Sequence, residues 1–326
     1  MYTHIEDNIY YIHVTLPDSP LKNLNAYLIK GKNRNLLIDT GFRRPECRES
    51  LEEGLSELEV SMDDTDIFLT HLHSDHTGLA SEIASDTTKV FIGAEDGQRL
   101  MHVRGNSMSE AAIQEQQQDG FSAAELTLLP QSPSWRYASR GREDYILLND
   151  GNVLEYGGRK LRLVCTPGHT PGHMCLWDSE NKVMFLGDHV LFDITPNITT
   201  WPDFEDPLGK YVNSLVAISG YPVRIALPGH RGIGGSLSER VGSIIKHHGR
   251  RLKEMLDVLD IYPGLSAYDL AGKMSWNIRT EHGWADFPTE QRWFAVKETK
   301  AHLEYLKQRG RVKMELWDGI MLYYPG

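Results

Sequence analysis

Histidine and aspartate side chains are concentrated in one short stretch of this sequence. His71, His73, Asp75 and His76 fall within six residues of a chain that holds 14 histidines among its 326 residues. In a chain of this composition such a segment is expected by chance only about 0.002 times. Because imidazole and carboxylate groups suit zinc, iron and manganese, the segment predicts a metal site.

Three further motifs carry the same residue types directly after predicted strands. Residues 166–173 read TPGHTPGH and contain His169 and His173. Asp188 follows the predicted strand at 183–186, and His230 ends the sequence LPGH after the predicted strand at 224–227. Strand ends on one edge of a layered sheet structure can converge in a cleft. A single histidine is usually an ordinary hydrogen-bonding residue, but this ordered recurrence favours a shared metal centre.

Thiolate ligands play no part in the predicted site. The three cysteines, Cys47, Cys165 and Cys175, have no CxxC spacing, so neither a disulfide framework nor a thiolate zinc site is indicated. Cys165 and Cys175 are interpreted as small buried hydrophobic residues. A metal must therefore be held by histidine and carboxylate.

The elements that must position these residues are short strands in two groups, with helices between them. The predicted strands are residues 9–14, 26–29, 36–38, 67–69, 153–156, 161–165, 174–177, 183–186 and 224–227, and the predicted helices are 47–58 and 208–219. Between the groups, a polar, Gln-rich and Arg-aromatic stretch at 94–149 is interpreted as a helical insertion or cap. The pattern predicts an α/β protein with two sheets layered between outer helices.

The C-terminal part is predicted to be mainly helical. It has helical patterns at 238–260, 266–274 and 293–308 and a hairpin signal at Asp318-Gly319. Three helices followed by a hairpin are typical of a winged helix. We therefore expect two domains, a catalytic domain at 1–245 and a winged-helix-like α+β domain at 246–326.

The ordered motifs resemble those of the metallo-β-lactamase superfamily, and within it the glyoxalase II-type hydrolases, over about residues 1–245. The resemblance implies a four-layer αβ/βα sandwich and two metal sites. His71, His73 and His169 correspond to the ligands of the first metal, Asp75, His76 and His230 to those of the second, and Asp188 to the carboxylate that bridges both. It also implies that His173 and Asp39 lie behind the ligands and support them.

This resemblance implies two divalent metal ions, with zinc expected first and iron or manganese as alternatives. A metal-bridging hydroxide would attack the substrate, and Asp75 would orient it or receive its proton. Asp188 argues against antibiotic hydrolysis and His73 against an oxygen-reducing di-iron centre. The expected activity is hydrolysis of a small-molecule thioester or ester, similar to that of hydroxyacylglutathione hydrolase.

The sequence does not decide between several classes of substrate. An anionic substrate is expected if Arg136, Tyr137, Arg140 and Arg142 serve recognition rather than forming a solvated loop. His189 and Arg231 are further candidates for substrate contact. The alternatives are a mononuclear iron enzyme similar to persulfide dioxygenases and a ribonuclease or phosphodiesterase, since some superfamily members carry a winged helix and act on RNA.

Charge bears on the nucleic-acid alternative. The formal net charge of −11 excludes a protein that coats nucleic acid. Residues 246–326 nevertheless hold 13 Lys and Arg against 11 Asp and Glu, with basic residues concentrated in the third helix and after it. We expect a cytoplasmic protein with no membrane partner, and a homodimer is compatible with the sequence.

Overall fold

Two facing β-sheets form the centre of the molecule in the computed structural model, which describes residues 2–101, 109–278 and 280–326. The strands of the first sheet, in spatial order, are β1 (Tyr2–Glu6), β2 (Ile9–Thr15), β3 (Asn23–Ile29), β4 (Asn35–Ile38), β5 (Thr65–Leu69), β6 (Val90–Gly93) and β7 (Ile146–Leu148). Pairing is antiparallel from β1 to β4 and parallel from β4 to β7.

The second sheet is formed by β8 (Val153–Tyr156), β9 (Arg159–Cys165), β10 (Met174–Asp178), β11 (Val183–Gly187) and β12 (Ile225–Pro228), in the spatial order β12-β11-β10-β9-β8. Only β11 and β12 pair in parallel within it. Parallel neighbours send their carboxyl ends to the same edge, so the chain segments that follow β11 and β12 meet there. Thr70, which follows β5 of the facing sheet, lies against Gly187 at the end of β11, so the end of β5 reaches the same edge.

Helices cover the outer faces of both sheets. Along the described residues they are α1 (Pro45–Glu57), α2 (Ser74–Thr77), α3 (Ala80–Ile83), α4 (Ala94–Met101), α5 (Glu110–Asp119), α6 (Ala123–Leu128), α7 (Pro133–Arg136), α8 (Pro207–Ser219), α9 (Leu237–Ile261), α10 (Ala267–Lys273) and α11 (Thr289–Gln308). The chain ends in a hairpin of β13 (Val312–Trp317) and β14 (Ile320–Pro325).

Three apolar clusters make the sandwich. Ile38 and Phe68 of the first sheet meet Leu163 and Phe185 of the second in the central cluster, all buried. A second cluster packs α1 on the outer face of the first sheet, and a third packs α8 and the first half of α9 on the outer face of the second. The predicted four-layer α/β sandwich is therefore confirmed.

A fourth cluster joins the predicted insertion to the C-terminal part. Phe121 and Leu126 of the insertion are buried with Met255 of α9, Val296 of α11 and Tyr323 of β14. Helix α9 runs without a break through residue 245, where the sequence predicts a domain boundary. The division into domains and the winged-helix identity stay predictions.

The predicted C-terminal elements are present in the predicted order. Asp318 and Gly319 have φ angles of 47° and 80°, as a tight two-residue hairpin turn requires. Within the predicted insertion, α4 to α7 are helical, but β7 at its end joins the first sheet and is not predicted by the sequence. With three residues it is too short to show alternation. None of the described helices has the length and apolar composition needed to cross a bilayer.

Candidate metal centre

The HxHxDH segment lies where β5 ends. His71 is the second residue after β5, and the chain then turns into the single-turn helix α2, which has His73 at its N-cap and carries Asp75 and His76. A four-residue helix cannot be stable alone. It is held by its surroundings: the His76 carbonyl, for example, accepts hydrogen bonds from both the amide and the hydroxyl of Thr40.

The remaining motifs come from the second sheet. His169 lies in the connection between β9 and β10, Asp188 directly follows β11, and His230 follows β12. Gly229 permits this convergence, because a Cβ there would lie 2.6 Å from Asp188 Oδ1 and 2.9 Å from His76 Cε1. Only a glycine allows the backbone to pass so close to these side chains.

All seven residues expected from the resemblance come together; we call them the ligand cluster. Their donor atoms form three groups, each within 4.8 Å: His71, His73 and His169; His71, His76 and Asp188; and Asp75, His76 and His230. Asp188 lies between the two ends, since its carboxylate oxygens are 3.5 Å from Nε2 of His76, 3.7 Å from Nε2 of His169 and 3.5 Å from Nε2 of His230.

Hydrogen bonds behind the cluster fix the imidazole tautomers. Nδ1 of His169 donates to the Asn197 carbonyl and Nδ1 of His230 to the Asn23 carbonyl, both at 2.7 Å. Because a carbonyl oxygen can only accept, these Nδ1 atoms carry the proton. The Nε2 lone pairs are then left facing the centre.

Asp39 performs the same role for the other ligands. Its carboxylate accepts from His76 Nδ1 at 2.7 Å and from the Thr70 hydroxyl at 2.8 Å. Since the Thr70 hydroxyl is committed to Asp39, its oxygen accepts from His71 Nδ1 at 3.0 Å. The expected supporting position of Asp39 is thus observed, with Nε2 of both His71 and His76 left unprotonated.

With their outer nitrogens protonated, the neutral imidazoles turn their Nε2 lone pairs towards the centre, where further donor atoms lie close by. His76 Nε2 is 3.2 Å from His230 Nε2, and His71 Nε2 is 3.1 Å from His73 Nδ1. His169 Nε2 and Asp188 Oδ1 are buried with no hydrogen-bond partner among the described residues. Lone pairs that face one another are repulsive unless a cation lies between them, so the donor set fits divalent metal ions.

The electrostatics differ between the two groups of donors. Burial lowers the pKa of His73 to about 3, so that imidazole is neutral. Against the opposing effect of burial, the Asp188 and Asp75 carboxylates raise the pKa of His230 to about 10. Asp39, Asp188 and Asp75 likewise raise the pKa of His76 well above its ordinary value, although burial opposes them. Without a metal, protons on these two imidazoles neutralise the carboxylates, and a bound metal cation would take their place.

His173 lies behind the cluster, as expected. Its Nδ1 is 2.8 Å from the Thr166 hydroxyl, and its Nε2 accepts the Asp188 amide hydrogen at 3.2 Å. Both ring nitrogens are therefore occupied, and His173 orients the backbone that carries Asp188.

A cavity of about 670 Å³ opens onto the cluster, with His73, Asp75, His169 and Asp188 on its wall. Most other lining side chains are apolar; they include Leu72, Trp135, Leu191, Trp201, Trp293 and Phe294. From the sequence alone Trp293 is interpreted as core or interface, and Trp135 and Trp201 give no signal, because a lone tryptophan carries no motif.

The arginine-rich segment contacts this cavity through Ala138 and Ser139 and not through its arginines. Arg136, Tyr137, Arg140 and Arg142 are absent from the cavity lining. Arg142 pairs with Asp144 at 2.7 Å, and both Arg136 and Arg44 lie on the ring of Tyr137. The expectation that this segment recognises an anionic substrate is therefore unsupported by its position.

His189 and Arg231 are also outside the cavity lining. His189 is buried and packs edge-on against Tyr211, with ring centroids 5.2 Å apart. Arg231 donates to the Pro20 carbonyl. Neither residue occupies the substrate-contact position that the sequence left open for it.

Two lysines of the third C-terminal helix, where the sequence concentrates basic residues, form ion pairs within the chain. Lys297 and Lys300 of α11 form ion pairs with Glu115 and Asp119 of α5. Lys297 is buried, and Arg309 pairs with Asp206. These positive charges bind elements of the chain together.

Comparison with known proteins gives relatives with named activities. Atrochrysone carboxyl ACP thioesterase of Emericella nidulans is 25% identical over 239 residues, 73% of this chain and 61% of that protein. The chain thus spans about three fifths of that relative. Acyl-coenzyme A thioesterase MBLAC2 of Homo sapiens is 25% identical over 240 residues, 70% of this chain and 81% of that protein.

Solved structures extend the likeness to the whole chain. A metallo-beta-lactamase family protein from Thermus thermophilus is 29% identical with a TM-score of 0.80, covering 98% of this chain and 99% of that chain. A beta-lactamase domain protein from Burkholderia ambifaria has the same fold, with a TM-score of 0.85, 22% identity and coverage of 100% and 94%. Residues 21–230 match the metallo-beta-lactamase superfamily, and the chain belongs to that superfamily.

Proposed function

We propose that this protein is a dinuclear metal-dependent hydrolase that cleaves a thioester or ester of a small molecule. The observation that carries the proposal is the convergence of seven donor side chains, four of which line a cavity. His71, His73 and His169 would hold one ion, Asp75, His76 and His230 the other, and Asp188 both.

Divalent ions bound there would lower the pKa of water towards neutrality and polarise a substrate carbonyl. Zinc is the expected ion, because three of the first site's donors are imidazoles and Asp188 supplies a carboxylate. The number and identity of the ions are part of the proposal.

The chain's own residues orient the reaction. Asp75 faces the cavity, and its Oδ2 is 3.2 Å from His230 Nε2, so its carboxylate can receive a proton from the attacking water. The water oxygen forms a bond to the acyl carbon, the carbon–sulfur or carbon–oxygen bond breaks, and the proton passes to the departing thiolate or alkoxide. No oxidant or protein nucleophile is required.

The relatives support this class of reaction, since two that bear activity names are thioesterases. A ribonuclease is disfavoured by the ion pairs that engage Lys297 and Lys300. A mononuclear iron dioxygenase is disfavoured by the completeness of the second group, Asp75, His76 and His230.

A hydrolysis panel on zinc-loaded protein tests the proposal. It contains acyl-coenzyme A thioesters, S-lactoylglutathione, a lactone and a phosphodiester. His73→Ala is the blank, and Asp257→Asn, at an exposed carboxylate of α9 outside the cavity lining, is the matched control. We expect turnover of a thioester or ester that His73→Ala loses and Asp257→Asn keeps. Equal activity in His73→Ala, or turnover of the phosphodiester alone, would contradict the proposal.

A further inference from the structure

The wall of the cavity is built by aromatic side chains from separate parts of the chain. Trp135 belongs to α7, Trp201 to the segment after β11, and Trp293 and Phe294 to α11. The rings of Trp135 and Trp293 meet edge to face, with centroids 6.4 Å apart. Trp201 stacks on the ligand His73 with centroids 5.9 Å apart, so the aromatic wall extends down to the metal ligands.

The described part of this wall carries no positive charge. Among the described residues that line the cavity there is no lysine or arginine, and the charged groups away from the ligand cluster are the carboxylates of Asp18 and Glu290. Glu290 accepts a hydrogen bond from the Ser134 hydroxyl. A phosphate or carboxylate placed against these described residues would lose its hydration without gaining a cationic partner from them, whereas an apolar group would gain by leaving water.

The volume sets the size of the group. At about 670 Å³, the cavity lies in the middle of the range of about 300–1,000 Å³ typical of small-molecule sites. An acetyl group would leave most of it empty.

We propose that the cavity binds the acyl part of the substrate and that this acyl group is an uncharged aliphatic chain or ring of medium size or larger. This inference rests on the proposed function and specifies its substrate class. The anionic part of a carrier thioester stays outside the cavity. Trp293 is a specificity-determining residue, and it lies beyond the residues 21–230 that match the superfamily.

The test is a series of p-nitrophenyl esters from acetyl to dodecanoyl, hydrolysed by the full-length zinc-loaded protein. Burial of each methylene is worth about a fourfold gain in kcat/KM. We therefore expect octanoyl ester to exceed butanoyl ester by at least about 50-fold. Equal kcat/KM for acetyl and octanoyl esters would overturn the inference.

Two variants locate the effect. Trp293→Ala should lower kcat/KM for the octanoyl ester at least about tenfold and for the acetyl ester less than about threefold, because it removes contacts with the chain and not with the ester group. Ala112→Trp, which places a large side chain on the cavity wall, should also reduce octanoyl turnover selectively. If Trp293→Ala does not fold, the octanoyl and acetyl turnover of Ala112→Trp tests the acyl-site assignment by itself.

Trp317→Ala is the matched control, since Trp317 is 67% exposed on β13 and does not line the cavity. It should leave the chain-length profile unchanged. Equal losses for acetyl and octanoyl esters in folded, zinc-loaded cavity variants would contradict the acyl-site assignment.

A binding measurement separates this inference from the proposed function. Calorimetry with 2-dodecanone, which has no bond to hydrolyse, should show binding by the parent protein that is at least about tenfold weaker in Ala112→Trp. Binding without hydrolysis of any ester would refute the hydrolase and retain the apolar site. Hydrolysis of acetyl esters without binding of 2-dodecanone would support the hydrolase and refute the apolar acyl site.

Discussion

The histidines of the ligand cluster have their outer nitrogens held by acceptors from distant parts of the sequence. Asp39 holds His76, and the Asn197 and Asn23 carbonyls hold His169 and His230. Each bond fixes a tautomer and a ring orientation, which raises the basicity of the opposite nitrogen. The inner donors were predictable from their motifs; the carbonyl partners were not, because any residue type supplies a carbonyl.

Asp75→Asn tests the proton-accepting carboxylate. We expect kcat to fall by about 10²–10⁴, because an amide is nearly isosteric but cannot accept the proton. The measurement is kcat on an acyl thioester together with the zinc content of the same sample. Asp257→Asn, at an exposed carboxylate outside the cavity lining, is the control, and unchanged kcat in zinc-loaded Asp75→Asn would refute the role.

Asp39→Asn tests support from behind the metal ligands. Asp39 has a φ of 62°, which asparagine also adopts, so the backbone should not change. One carboxylate oxygen accepts from His76 Nδ1 and the Thr70 hydroxyl, and the other accepts from the Thr70 amide. An asparagine would turn its NH2 group towards one of these donors, so zinc affinity should fall about 10–100-fold. Competition with a chromophoric chelator measures it. Asp203→Asn, at an exposed position with a φ of 59°, is the matched control, and equal affinity in both variants would contradict the role.

At the scale of elements, α11 connects the C-terminal part to the metal centre. Glu298 of α11 accepts a hydrogen bond from Asn197 Nδ2 at 3.0 Å, and the Asn197 carbonyl accepts from His169 Nδ1. The sequence predicts a third helix, but not this contact, because nothing in the local pattern identifies the element that a helix packs against.

Glu298 should make the free energy of unfolding depend on pH. Burial raises its pKa to about 7, although Arg251 lowers it. Between the ordinary value of 4.5 and about 7, the native state holds a proton that the unfolded chain releases. This contribution to stability is therefore complete below about pH 4.5 and is lost as the pH rises through about 7. Because the side chain is 13% exposed, we expect about 2 kcal/mol.

Glu298→Gln removes this titration. Between pH 5 and pH 8 the free energy of unfolding of the zinc-loaded variant should therefore decrease by about 2 kcal/mol less than that of the parent. Denaturant unfolding at both pH values measures the difference, with Glu315→Gln, at an exposed position on β13, as the control. Identical pH dependence in parent and Glu298→Gln would refute the assignment.

A buried ion-pair cluster fastens α5 to α11. Asp119 is 2% exposed and lies 2.8 Å from Lys300 Nζ and 3.7 Å from the Nζ of buried Lys297. Asp119→Ala should cost about 3–5 kcal/mol of unfolding free energy, because Glu115 is then the one carboxylate left to compensate the charges of Lys297 and Lys300 in this cluster. Urea unfolding measures it, with Asp257→Ala of an exposed pair as control. A loss below about 1 kcal/mol would contradict this role.

At the scale of the whole molecule, the sandwich brings four separate strand-end motifs to one edge. That convergence and the family were predictable, because the ligand motifs are local and their order is fixed. The cavity wall was not predictable from the sequence. Trp135 and Trp293 are about half the chain apart in sequence, and they meet because the fourth apolar cluster and the α5–α11 ion pairs hold the insertion against the C-terminal part. The excess of basic residues in the C-terminal part can be counted in the sequence, but the sequence does not show that Glu115 and Asp119 of α5 pair with the lysines of α11.

We propose that the seven-residue ligand cluster binds two metal ions and that these ions make the protein a thioester hydrolase. The decisive experiment adds zinc to chelator-treated protein and measures hydrolysis of octanoyl-coenzyme A after each increment. We expect no hydrolysis without metal, a rise with added zinc and a plateau at two equivalents per chain, all abolished in His73→Ala. Full activity without metal, or an inert protein after two equivalents are bound, would refute this function.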